Sequence, residues 1–197
     1  MLDFIFKNIS LIVEIASVVF GLAYLVLMML ENIWCWIFGI VSSLLGVYLF
    51  IEISLFSEAI LYTFYALVGV YGWIIWSKKS EGKSTIPIRN WPWMNHAIVL
   101  PIGFLLSAAL GWGMSSFTKS EMSYVDAHTT IFSFIASYLE AQKVLAAWLY
   151  WIVINGVSIW LYATKGLSVY TWLMVLYFVM SFAGLYMWNK TLKSQTA

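Results

Sequence analysis

Trp148, Trp151 and Asn155 form the set of side chains in this 197-residue sequence best suited to holding a ligand. Spaced at i, i+3 and i+7, they share one face of a helix. Indole rings stack on flat molecules and attract cationic rings, about 0.5–2 kcal/mol for each good contact. The Asn carboxamide supplies one donor group and one acceptor for a polar substituent. In apolar surroundings an amide is costly unless it finds a partner. A face turned to lipid has no use for this triple, so it reads as a binding face.

Polar residues recur at helical spacing in other apolar stretches. Asp126, Thr129 or Thr130, Ser133, Ser137 and Glu140 form one stripe, and Ser10, Glu14, Ser17 and Gly21 another. Glu58, Tyr62, Tyr65, Gly69 and Trp73 form a third, answered by Tyr177, Ser181, Gly184 and Trp188. A charge at the centre of a membrane helix costs about 2.5–3.5 kcal/mol, so these stripes are expected to face inward and outline a polar, aromatic-lined path. The candidate substrate contacts are Trp148, Trp151, Asn155, Trp36, Tyr62, Asp126, Tyr177 and Glu14. Plainer readings compete with several of them. Glu58, Asp126 and Glu140 lie within a turn of expected helix ends, where headgroup water reaches them. For Glu58 and Asp126 the helix dipole adds a further favourable term. Trp91, Trp93 and Trp112 fit an interfacial aromatic belt, and Gly and Ser within spans often serve helix packing.

Other chemistries find no support. His96 and His128 are far apart and no cysteine joins them, so no metal site is expected. Cys35 stands alone in an apolar run and reads as a small core residue. No nucleophile–base pair, glycine-rich phosphate loop or redox cysteine pair occurs. The last span holds no lysine for a retinal Schiff base, and no intramembrane arginine run suggests a voltage sensor. No cofactor and no enzymatic activity are expected. A net charge of +1 gives no reason to expect a nucleic-acid partner.

The elements that must position these residues follow from composition. The chain is 63% hydrophobic and 10% charged, against about 25% charged in a soluble domain. Its solvent is lipid. At about 20 apolar residues per crossing, seven transmembrane helices are expected, over 9–30, 33–51, 55–77, 96–116, 125–141, 144–163 and 168–188. The first is too long for the ~7–15-residue core of a signal peptide. Linkers such as Glu31-Asn32, Glu52-Ile53-Ser54 and Lys165-Gly166 force antiparallel neighbours. The one real loop, Ser77 to Asn95, carries Lys78, Lys79, Glu81, Lys83, Arg89, Pro87 and Pro92. One side of the membrane collects Lys78, Lys79, Lys83, Arg89, Lys143, Lys190 and Lys193, the other Lys7, Lys119 and Lys165. The positive-inside rule then puts the loop and C-terminus in the cytoplasm and the N-terminus outside, which in a bacterium is the periplasm.

An internal repeat also emerges. An offset of 115 pairs Trp36 with Trp151, Ser43 with Ser158, Tyr62 with Tyr177, Gly69 with Gly184 and Trp73 with Trp188. Two parallel three-helix repeats joined by a linker helix (3+1+3) follow: residues 1–77, a loop and fourth helix over 78–124, and residues 125–197. In this register Trp148 and Asn155 fall on Ile33 and Ile40. The substrate's polar end is therefore expected to be read by the second copy alone, at a site between the halves, as in many transporters built from repeats.

The run Trp148-x-x-Trp151-x-x-x-Asn155 resembles the WxxWxxxN signature of the PnuC-type vitamin transporters. Tyr71-Gly72-Trp73 with Trp76, and Asp126-Ala127, are similar to that family as well, and the likeness spans the chain. It implies parallel three-helix bundles in the bacterial inner membrane that carry a B-vitamin precursor. The usual substrate is nicotinamide riboside, with thiamine or riboflavin in other members. It also implies facilitated diffusion, with a cytosolic kinase trapping the substrate rather than binding the carrier. By the same resemblance Trp148, Trp151 and Asn155 contact substrate. Tyr62 stands where members often have Gln, and Gly69 where some have Asn, which leaves thiamine as an alternative. The exposed aromatic helices allow a homo-oligomer such as a trimer, and Glu14 and Asp126 would be the couplers were transport ion-driven. A rival of another class is a non-transporting membrane protein whose aromatic face binds a partner helix or lipid.

Overall fold

The computed structural model describes residues 2–52, 56–78, 86–117 and 122–196. The expected segments appear as seven helices: α1 (Leu2–Met29), α2 (Cys35–Glu52), α3 (Phe56–Ser77), α4 (Trp93–Phe117), α5 (Ser123–Ala141), α6 (Ala147–Thr164) and α7 (Ser168–Thr196). The β-structure among the described residues is an isolated bridge, Arg89 to Val144. The loop centre with Lys79, Glu81 and Lys83, the linker at Ile53 and Ser54, and Lys119 lie outside the described residues. α1 begins at Leu2 instead of residue 9, and α7 continues to Thr196 instead of 188.

Among the described residues, six of the seven helices are by length and composition alone apolar enough to cross a bilayer. The remaining one of the seven expected spans, α5, is the polar helix. Its 19 residues include Asp126, His128, Glu140 and the hydroxyls of Ser123, Thr129, Thr130, Ser133 and Ser137. That is too polar to face lipid. α5 packs between α4 and α6, with Ser133, Ser137 and Glu140 buried. Protein neighbours thus spare these groups the hydrocarbon that would penalise them. The chain is an all-α, multi-pass membrane protein.

Two compact units divide it, Met1–Ile86 and Pro87–Ala197. In the first, α1 and α3 both pack on α2. Ser17 Oγ donates to the Ser42 carbonyl at 3.1 Å and Ser42 Oγ to the Ser17 carbonyl at 2.8 Å. This reciprocal clamp joins α1 and α2 through small residues. In the second, α4, α5, α6 and α7 pack in chain order. The extended segment before α4 closes the α5–α6 turn: Arg89 N–H donates to Lys143 O and Leu145 N–H to Arg89 O, both at 3.0 Å. Arg89 Nη2 also donates to Gln142 Oε1 at 2.8 Å.

The α1–α2 and α5–α6 turns share one backbone design. Each passes through a non-glycine residue in the left-handed region, Glu31 (φ 55) and Lys143 (φ 51). The next residue's N–H reaches back five, Asn32 to Leu27 O and Val144 to Leu139 O, each at 2.9 Å. The left-handed residue itself donates three back, Glu31 to Met28 O and Lys143 to Glu140 O, each at 3.0 Å. This is the Schellman arrangement that satisfies a helix's last carbonyls. The next helix then starts at the same distance: Trp36 and Trp148 each lie five residues beyond the left-handed residue.

Candidate functional site

The site is built on α6, which the Lys143 turn sets against α5 and α7. Trp148 is fully buried, its indole edge-on to Trp188 with centroids 5.5 Å apart and planes at 89°. The ring lies against Gly184, where a Cβ would come within 2.5 Å of it. In the first unit Trp36, 1% exposed, stands edge-on to Trp76 at 5.4 Å and 89°. It lies against Gly72, where a Cβ would overlap its ring. Both indole nitrogens are buried and find no hydrogen-bond partner among the described residues.

These facts correct the internal register. The counterpart of Trp36 is Trp148, not Trp151, and Gly72 and Trp76 match Gly184 and Trp188; the offset is 112, not 115. Three residues is nearly one turn of helix. A slip of three therefore leaves the aromatic and small-residue stripes almost aligned, and the turns are what fix the register. Under the corrected offset Trp151 falls on Gly39, Asn155 on Ser43, Glu140 on Met28 and Ser181 on Gly69. Space beside Gly39 is taken by the Tyr24 ring, whose Cδ2 would lie 2.8 Å from a Cβ there.

Trp151 and Asn155 are held by hydrogen bonds within the second unit. Trp151 Nε1 donates to Glu140 Oε2 at 3.3 Å, joining α6 to α5. Glu140 is 1% exposed, so the bond meets a carboxylate that is itself withdrawn from solvent. Asn155 Nδ2 donates to Ser181 Oγ at 3.1 Å, and Ser181 Oγ donates to Tyr177 O at 2.7 Å. Asn155 and Ser181 are buried, while Trp151 is half-buried. The triple read from the sequence therefore divides by environment. Trp148 is wedged into packing with its N–H unfilled, Trp151 keeps open surface, and Asn155 has its amide oriented.

The other candidates are spread out. Tyr62 packs in the first unit beside Gly46, with Phe50 at 4.9 Å and Tyr65 at 5.8 Å. Trp36 is interior to the same unit. Glu14 is exposed on α1. Asp126 holds both carboxylate oxygens against Lys165 Nζ, at 3.0 and 3.2 Å, where α5 begins and α6 ends. Tyr177 is brought to the site through its backbone carbonyl, which anchors Ser181. His96 Nδ1 lies 3.0 Å from the Tyr150 hydroxyl, and His128 Nδ1 lies 2.6 Å from Tyr124 O. Among the described residues no group of three His, Cys, Asp or Glu is placed to hold a metal ion.

Glu140 and Ser181 are the residues that sequence reasoning left outside the site. Both stood in the polar stripes. What marks them is contrast between the units, and that becomes visible only in the corrected register, where their counterparts are Met28 and Gly69.

Comparison with known proteins bears on the family and the fold. The proteins named nicotinamide riboside transporter PnuC in Escherichia coli (strain K12) and Shigella flexneri are each 24% identical over 179 residues. The alignment covers 78% of this chain and 75% of theirs. A solved structure described as the crystal structure of the vitamin B3 transporter PnuC shares the fold, with a TM-score of 0.75 at 21% identity. It matches 98% of this chain and 86% of that one. The sequence profile of the nicotinamide mononucleotide transporter family matches residues 11–190, and the chain belongs to that family.

Proposed function

We propose that this transporter takes up nicotinamide riboside across the bacterial inner membrane by facilitated diffusion with alternating access. The observation that carries the reading is a pair of hydrogen bonds, from Trp151 to the buried Glu140 and from Asn155 to Ser181. It presents one half-open indole and one oriented amide on the same helix face. The curated relatives are named for this substrate. Its pyridinium ring is flat and permanently cationic, which suits the Trp151 face. Its carboxamide and ribose hydroxyls suit Asn155.

The architecture we infer is two three-helix copies, α1–α3 and α5–α7, joined by the long loop and α4. The identical turns and the two Trp–Trp–Gly clusters support it. The N-terminus lies in the periplasm and the C-terminus in the cytoplasm, on the lysine and arginine bias. Release without an ion gradient leaves trapping to a kinase that acts on the substrate in the cytosol. Asp126, already paired with Lys165, makes a poor ion coupler. Thiamine, also a cationic aromatic, is the alternative substrate.

Calorimetry on purified protein with nicotinamide riboside, thiamine and riboflavin tests the assignment. Binding of nicotinamide riboside, weakened by Trp151→Ala and Asn155→Ala, is expected. Tighter binding of thiamine would reassign the substrate. Binding of none of the three would overturn the reading in favour of a non-transporting interaction protein.

A further inference from the structure

We propose that Ser181 is a positioning residue that sets the polarity of the site, selecting a carboxamide-bearing pyridinium riboside over its carboxylate analogue. The proposal rests on the transport reading above and on Asn155 meeting the substrate. The starting point is an amide whose orientation is decided by its neighbour. Asn and Gln side chains are nearly symmetric in shape, and the hydrogen-bond network chooses which end faces which way.

Here the hydrogen bonds favour one choice in two steps. The Ser181 hydroxyl has one proton, which it spends on the Tyr177 carbonyl four residues back, at 2.7 Å. What remains on its oxygen is acceptor capacity alone. An acceptor beside Asn155 must meet the amide nitrogen, and Nδ2 lies 3.1 Å away. The flipped amide would set two oxygens against each other in a site where both residues are buried, 6% exposed for Asn155 and 2% for Ser181. Oδ1 is therefore the end turned from α7, and among the described residues no hydrogen bond reaches it. The site offers the substrate an acceptor.

An acceptor at that position welcomes an N–H or O–H and repels a carboxylate. A primary carboxamide satisfies it through its NH2 group. A carboxylate would bring a negative oxygen against Oδ1 in a desolvated pocket, leaving both groups unsatisfied, the situation in which discrimination between analogues becomes large.

The chain carries its own control for the opposite view, that Ser181 merely packs. In the first unit the equivalent helix pair presents Ser43 and Gly69 where α6 and α7 present Asn155 and Ser181. The space beside Gly69 is filled by Ile40, whose Cγ1 would lie 2.6 Å from a Cβ there. The same turn and the same edge-on tryptophans form around it. The scaffold does not require a hydroxyl at this position, so the hydroxyl of Ser181 is free to serve recognition.

The test is calorimetric binding of nicotinamide riboside and nicotinic acid riboside to the wild type, Ser181→Ala and Ser181→Thr. The wild type is expected to prefer the amide by at least about tenfold. Ser181→Ala lets the Asn155 amide turn and should narrow that preference by about fivefold to tenfold, through weaker amide binding and stronger acid binding. Ser181→Thr keeps the hydroxyl and should keep the preference, so restoration by Thr separates polarity from bulk. If the wild type binds the amide selectively and Ser181→Ala leaves the ratio unchanged, the positioning role is overturned while the transport assignment stands. If the wild type binds neither riboside, the transport assignment falls and the role of Ser181 falls with it. Should Ser181→Ala lose its fold, Ser181→Thr alone decides: a preference lost despite the retained hydroxyl overturns the proposal.

Discussion

Gly184→Ala should damage both stability and binding, whereas its twin Gly72→Ala should damage stability alone. A Cβ at position 184 would stand 2.5 Å from Trp148 Cη2 and Cζ3 and 2.6 Å from Cε3. Carbon atoms rest about 3.5–4.0 Å apart, so the indole must retreat by about 1 Å. It has little room to do so, because Trp148 has no exposed surface and stands edge-on to Trp188 at 5.5 Å. Overpacking of this kind costs about 1–3 kcal/mol. The same argument holds at Gly72, where Trp36 is backed by Trp76 at 5.4 Å. Fluorescence-monitored thermal unfolding in detergent should therefore show a drop of several degrees, similar in the two variants. Binding separates them. Moving Trp148 disturbs the helix face that carries Trp151 and Asn155, and losing one aromatic contact is worth about 0.5–2 kcal/mol, roughly twofold to thirtyfold in Kd. Gly72→Ala disturbs a copy without that chemistry and should leave Kd within about twofold. Equal losses of affinity in both variants, or an unchanged melting midpoint in either, would refute the reasoning.

Other substitutions probe the surroundings of the site. Glu140→Gln keeps an acceptor for Trp151 Nε1 and should bind substrate nearly as the wild type does. Glu140→Met, copying Met28, removes it and should weaken binding about threefold to tenfold by calorimetry. Asp126→Asn should change uptake by less than about twofold, because the Asp126–Lys165 pair is partly solvated, at 25% and 33% exposure, and such pairs are worth about 0.2–1 kcal/mol. A large loss would restore Asp126 to the site. Lys143→Val places a β-branched residue at φ 51 and should destabilise by at least about 1–2 kcal/mol, read as a lower unfolding midpoint.

The helices were legible because apolar runs of about 20 residues leave few alternatives. α5 is too polar to stand in lipid alone, and the sequence shows only part of what shelters it. Its polar stripe is plain, but the shelter given by α4 and α6 is a tertiary fact. The Trp148–Asn155 face was legible from spacing. Its division of labour was not, since burial of Trp148 depends on Gly184 and Trp188, far along the chain. The likeness of the two turns and tryptophan pairs lies at an offset of 112, where the sequence suggested 115. Glu31 and Lys143 mark the register, yet neither is the Gly or Asn that usually announces a left-handed helix end, and their opposite charges hide the likeness. The pairing of Asp126 with Lys165 was missed because the two are 39 residues apart and meet only when α5 and α6 lie side by side.

The most direct test of the account is uptake of labelled nicotinamide riboside into proteoliposomes with no ion gradient and no membrane potential. The account predicts that internal and external concentrations equalise, and that Trp151→Ala and Asn155→Ala slow the approach to equality without altering the endpoint. Uptake that appears only when a proton or sodium gradient is imposed, or that proceeds unchanged in both variants, would contradict it.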